Sequence, residues 1–225
     1  MLLRQLAYEV SINQIYTTSI IMQTYNQDIL NASHTMLAYP AFLAGYRTVD
    51  EALNDRLFSN YISAFLDQDV ALTTSDSDDY ENQLASLFSS LAISDSLDQL
   101  CCDGASKLSA FVLPTLRELL EENRDVRRIA FLLAAYGHYL STTTDDNGVT
   151  YEINDPNLHQ DDWSKINSTD VVSLLSISPL ASARLQTFSY FVTLYKSYRA
   201  QIAQLGIMVL LKQMAYHRMD MRATS

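Results

Sequence analysis

Lysine is missing from the first 106 residues, and glycine occurs only five times in 225. Gly45, Gly104, Gly137, Gly148 and Gly206 allow no G-x-G-x-x-G spacing, which excludes the phosphate-binding turn of a dinucleotide fold from this chain. Cysteine is confined to the adjacent pair Cys101 and Cys102. Neighbours in sequence rarely close a disulfide, and no distant Cys or His stands at metal spacing, so both read as buried or half-buried thiols of a reducing compartment. No metal is expected. Positive charge is scarce: 15 Lys and Arg face 26 Asp and Glu, a formal net charge of -11. Beyond Arg124, Arg127 and Arg128 there is no basic cluster, which argues against nucleic acid and anionic membrane surfaces as partners. Long apolar runs are absent too. The opening MLLRQLAYEVSINQ carries Arg4 and Glu9 around a stretch too brief for a signal-peptide core or a membrane span, so a cytoplasmic protein is expected.

What the chain does contain is helix-forming apolar sequence. Hydrophobic residues make up 48% of it, enough to bury a substantial core. Apolar spacing predicts a helix from Ile29, with Pro40 kinking or interrupting it and Gly45 closing the unit. Thr48 and Glu51 have capping-box spacing ahead of a helix over about 49–68. Further helices are predicted over 105–122, 126–140, 169–176, 180–204 and 207–218, with Gly206 as a stop, and an amphipathic stretch at YENQLASLFSSLA. QIYTTSIIM (14–22) and GVTYEINDP read as short extended pieces. The fold class is mostly α: a multi-helix domain with one or two short extended segments.

Candidate chemistry is sparse. Asn31 and His34, three apart on one helix face, offer an amide and an imidazole to a substrate carbonyl or hydroxyl. Taken alone, an Asn and a His near a helix start are more often a cap and a surface residue. Ser33 beside His34 has no strained elbow around it and reads as noise. His138, His159 and His217 stand apart from acidic clusters, against zinc. Tyr136, Tyr139, Tyr190, Tyr195 and Tyr198 are expected at core or rim positions, and the acidic run SDSDDYE reads as a solvated connection.

Three blocks sharpen this reading. LNASHTMLAYPAFLAGYRTVDEA, CCDGASKLSAFVLPTLRELLEENRDVRRIAFLLAAYGHYL and NGVTYEINDP together resemble the carboxy-terminal domain of the polyol-specific long-chain dehydrogenases. That family includes mannitol 2-dehydrogenases, arabinitol dehydrogenases and uronate reductases. The resemblance runs from about Tyr25 to about Leu211, and it divides the chain into a poorly matched segment 1–24 and a helical substrate domain 25–225. It implies a motif of Lys, four residues, Asn, two residues, His, in which Asn31 holds the developing alkoxide and His34 orients a substrate hydroxyl. It places the family lysine that binds distal hydroxyls on Lys107.

The departures from the family pattern matter as much. Where the family has its general-base lysine, five positions before Asn31, the chain has Asn26, and an amide accepts no proton at physiological pH. Gln99 stands where mannitol-type members have an arginine, which leaves the choice between polyol and uronate open. The family's Rossmann domain, which holds NAD(H), has no counterpart in the glycine pattern, so this chain alone is not expected to bind the cofactor. The expectation is a substrate domain truncated or split from its cofactor domain, weak or inactive alone, with a separate or upstream Rossmann domain as partner. The alternatives are a stand-alone pseudoenzyme that binds a sugar alcohol or acid, and an interaction domain with a relic pocket.

Overall fold

The apolar spacing from Ile29 becomes one unbroken helix, α1 (27–43), in the computed structural model, which describes residues 27–70, 89 and 96–216. The expected interruption at Pro40 does not occur. Every residue from Thr35 to Leu43 is buried, and packing on all sides carries the helix through a proline that only removes one ladder bond. Gly45 ends it as expected. Its φ of +97°, with Gly45 N–H donating to Phe42 O and Tyr46 N–H to Ala41 O, forms a Schellman motif.

Thr48 then caps α2 (Val49–Asn54) through a complete capping box with Glu51. The single helix expected over 49–68 is instead divided at Asp55. That residue adopts extended geometry, and its carboxylate accepts from Leu57 N–H to start α3 (Arg56–Ala64). An Asp side chain competes with the helix ladder for backbone N–H groups. A π-helical turn, Phe65–Val70, continues α3.

Two short helices, α4 (Leu97–Cys101) and α5 (Gly104–Lys107), follow; a π-helical turn (Leu108–Val112) joins α5 to α6 (Leu113–Glu121). The stretch expected as one helix over 105–122 is therefore interrupted. Pro114, in the first turn of α6, has no N–H for the ladder, and the preceding turn widens around that gap.

The centre of the molecule is α7 (Arg127–Ser141), within a residue of the expected 126–140. Its run AFLLAAYGHYL is apolar nearly all round, and Arg128 to Gly137 are buried without a break. After an extended loop closed by one antiparallel bridge between Thr144 and Thr150 comes α8 (Gln160–Ile166), a helix that the sequence reading did not assign. The segment expected as helix 169–176 is a 3₁₀ helix, Val171–Ser176, started by the Asp170 carboxylate.

The helix expected over 180–204 is divided as well, into α9 (Ser178–Ala181), a 3₁₀ turn (Leu185–Thr187) and α10 (Ser189–Leu205). Arg184 in the left-handed region (φ 49°) makes the break. Leu180, Ala183, Leu185 and Phe191 are buried on both sides of it, so apolar spacing alone hides it. Gly206 (φ +76°) separates α10 from α11 (Ile207–Tyr216). The main packing is α7 on α10 and α3 on α11. Four of the five singled-out tyrosines are buried, and Tyr190, 60% exposed, departs from the expected core or rim position. The extended segment 14–22, the acidic run and all of the amphipathic stretch but Ser89 lie outside the described residues, as do Asn26 and His217.

His138 supplies a pH test of this core. Burial, with Arg199 nearby, depresses its imidazole from 6.5 to about 4. The folded protein holds it neutral while the unfolded chain protonates it near 6.5, so its contribution is whole above that pH and is lost as pH falls to about 4. In denaturant melts, the stability margin of the protein over its His138→Gln variant is expected to shrink between about pH 7 and about pH 5. A margin independent of pH would show that the imidazole is not held neutral.

Candidate functional site

Helix α1 and helix α5 meet around a small cavity. Asn31, His34 and Thr35 from α1, Lys107 from the end of α5, Phe111 from the π turn and Leu100 from α4 line a space of about 60 Å³. Asn31 and His34 share a helix face, as their spacing predicts, and both are half-buried. Thr35 reinforces that face: its hydroxyl donates to the Asn31 carbonyl at 2.8 Å. The arrangement sets an amide, an imidazole and an ammonium opposite two apolar side chains. Such a surface suits a carbon chain carrying hydroxyls, with donors and acceptors for the oxygens and apolar walls for the C–H groups.

Lys107 is held more tightly than its sequence position suggests. Its Nζ donates to Cys102 O at 2.8 Å, Leu100 O at 3.1 Å and Gln99 O at 3.4 Å. The ammonium thus closes the C-terminal end of α4, where unpaired carbonyls and the helix dipole favour a cation. Only the longest of the three bonds is readily given up to a ligand. Gln99 is exposed and contributes this carbonyl; its side chain does not line the cavity.

The loop between α4 and α5 depends on glycine. A Cβ on Gly104 would lie 1.6 Å from the Tyr39 hydroxyl, which donates to Cys101 O at 3.0 Å. Cys101 is buried, and burial pushes its thiol well above the usual range, so it stays protonated, while Cys102 is half-buried. Both thiols are free, as expected. Among the described residues, no group of three or more His, Cys, Asp or Glu is placed to hold a metal ion.

Ser33 is fully buried and does not line the cavity, and its hydroxyl has no hydrogen-bond partner. Removing an unsatisfied buried hydroxyl relieves its desolvation cost, so Ser33→Ala is expected to be neutral or stabilising by about 1 kcal/mol. A loss above about 1 kcal/mol in chemical denaturation would show that the hydroxyl is bonded after all.

Sequence reasoning missed Thr35, Leu100 and Phe111. Helical spacing carried a signal for two of them, since Thr35 lies one turn beyond Asn31 and Phe111 one turn beyond Lys107. A wider cleft of about 390 Å³ borders the same α4 segment, with Phe42, Arg47, Asp98, Cys102 and Tyr151 among its walls, and contains none of the predicted site residues.

Residues 25–200 match the family described as mannitol dehydrogenase C-terminal domain. The mannitol 2-dehydrogenase of Aspergillus fumigatus is 30% identical over 186 residues, covering 80% of this chain and 37% of that protein. The polyol:NADP oxidoreductase of Gluconobacter oxydans is 32% identical over 154 residues, covering 66% of this chain and 32% of that protein. Among solved structures, Pseudomonas fluorescens mannitol 2-dehydrogenase, in a ternary complex with NAD and D-mannitol, superposes with a TM-score of 0.72 at 34% identity. That match covers 82% of this chain and 39% of the other. A substrate-free D-sorbitol dehydrogenase gives a TM-score of 0.73 at 30% identity, covering 83% and 40%. The chain therefore spans well under half the length of these relatives.

Proposed function

Because the chain belongs to the mannitol dehydrogenase family, through its C-terminal domain, we propose that it is the substrate-holding half of an NAD-dependent polyol or uronate dehydrogenase. In this reading the nucleotide-binding part lies outside these 225 residues. The observation that carries the reading is the convergence of Asn31, His34 and Lys107, from two helices far apart in sequence, on one cavity.

The cavity's size supports an incomplete site. About 60 Å³ holds a few waters, whereas pockets that enclose a small molecule run to about 300 Å³ or more. The remaining walls belong to another segment. NAD itself does not fit the residues present: the described part has no sheet beyond the Thr144–Thr150 bridge, and no glycine-rich strand-to-helix turn can be written in the chain.

The residues of this chain bind and orient. The Asn31 amide donates to the oxygen of the reacting carbinol and steadies negative charge as it develops there. The imidazole of His34 donates to or accepts from a neighbouring hydroxyl and fixes the rotation of the carbon chain. Lys107 supplies positive charge at the far end, where it favours a hydroxyl or a carboxylate, and Leu100 and Phe111 exclude water from one side. No helix among the described residues is long and apolar enough to cross a membrane. Its polar lining suits a water-soluble ligand, and a cytoplasmic setting is part of this proposal.

Asn26 favours a second reading, a pseudoenzyme that holds a sugar alcohol or sugar acid without turning it over. Calorimetric titration with D-mannitol and with a hexuronate tests both readings. Saturable binding that weakens about tenfold in Asn31→Ala and His34→Ala is expected, the worth of one or two hydrogen bonds. Absence of binding to either compound, in the chain alone and in a fusion to a relative's nucleotide domain, would sink both. Binding without turnover in the fusion would select the pseudoenzyme.

A further inference from the structure

Helix α5 has four residues and ends in Lys107, and no side chain within it or beside it caps its first turn. It continues through the π turn into α6, so it is the first turn of a helical run from Gly104 to Glu121, and its leading N–H groups need partners from outside the ladder. Its first turn is instead held from fifty residues away by the carboxylate of Asp155, whose Oδ2 accepts from Ala105 N–H at 2.8 Å. The same oxygen accepts from the Tyr136 hydroxyl at 3.0 Å, and Oδ1 accepts from Asn157 N–H at 3.3 Å.

Tyr136 belongs to the buried α7, and its ring meets Tyr39 of α1 edge-on, with centroids 4.9 Å apart. Tyr39 in turn binds Cys101 O, and its hydroxyl fills the space where Gly104 lacks a Cβ. One buried carboxylate therefore ties α5 to α7 and, through the tyrosine pair, to the helix that carries Asn31 and His34. Asp155 is 8% exposed and does not line the cavity, so it acts through its neighbours.

We propose that Asp155 is a positioning residue that sets Lys107 against Asn31 and His34, an inference that rests on the site reading above. Without the bond to Ala105, the first turn of this run loses the side chain that caps it, and the ammonium loses its register with the Leu100 and Cys102 carbonyls. Asparagine at 155 keeps one oxygen for Ala105 and Tyr136, whereas alanine keeps none.

The test uses the full chain labelled with ¹³C at its lysines. The chain has four of these, and Lys107→Arg assigns the signal by its disappearance. In Asp155→Ala, the Lys107 ¹³Cε signal is expected to move to the position of the exposed lysines. D-mannitol binding is expected to weaken about tenfold. Asp155→Asn is expected to restore most of both. An unmoved Lys107 signal in Asp155→Ala, or an equal loss in Asp155→Asn, would overturn the proposal. If the Lys107 signal moves but the parent chain binds no D-mannitol, the positioning role stands and the ligand reading fails. Should Asp155→Ala not fold, Tyr136→Phe removes one of the two bonds to Oδ2. A smaller shift of the same signal supports the proposal, and an unmoved signal overturns it.

Discussion

Replacing Asn26 with lysine is expected to raise polyol oxidation about 10²- to 10⁴-fold in a chain joined to the nucleotide-binding domain of a relative, the range that a positioned general base contributes. Oxidation of a carbinol needs a group to take the hydroxyl proton. An asparagine amide has no basic atom for it, and no lysine precedes Lys107. Lys107 is not placed to substitute, because bonds to the Leu100 and Cys102 carbonyls hold its ammonium at the end of α4. Asn31 and His34 remain on the cavity wall, so under the proposed function the base is the one missing part on this side of the site.

In the lysine-bearing fusion, turnover is expected to rise with pH as the amine loses its proton, a dependence that the Asn26 parent lacks. Adding Asn31→Ala to that variant is expected to remove about 10²- to 10³-fold, the usual loss when one donor to a developing oxyanion is deleted. A lysine variant that binds D-mannitol as well as the parent and is no faster would show that position 26 does not face the reacting oxygen.

The second large effect concerns stability. Asp69→Ala is expected to cost about 3–5 kcal/mol in chemical denaturation, because it leaves the Arg128 guanidinium buried with neither a counter-charge nor the two oxygens it donates to. The two side chains are 3% and 2% exposed, with Arg128 donating to Asp69 Oδ1 at 3.0 Å and Oδ2 at 3.3 Å. Arg128 also bonds the Gln68 side chain, while its Nε has no partner. Burial lifts the Asp69 carboxyl to about 7 against the pull of the guanidinium, so attraction within the pair does not fully offset desolvation.

It follows that replacing both partners by apolar residues, Asp69→Leu with Arg128→Met, is expected to recover most of what the single change loses. A double variant no more stable than Asp69→Ala would show that the pair is a net source of stability. The pH sense here is opposite to that of His138. The folded state takes up a proton at Asp69 near pH 7, which the unfolded chain takes up only near 3.8, so acidification through that window stabilises the protein at this site.

The sequence by itself determined the helical class, because apolar residues at helical spacing and a shortage of glycine act locally and leave few alternatives. It also determined the Thr48–Glu51 cap, the end of α1 at Gly45, the shared face of Asn31 and His34, and the lack of a nucleotide-binding turn. Each of these depends on residues within a turn or two of one another. The breaks were not legible, since Asp55, Pro114 and Arg184 interrupt helices whose apolar spacing continues on both sides. Only the tertiary structure decided that Lys107 spends its donors on α4 carbonyls, that the Gln99 side chain stays outside the cavity and that Asp155 holds α5 from across the fold. A hydrogen bond between residues fifty apart forms where packing brings its partners together, and no local pattern records which partners those are.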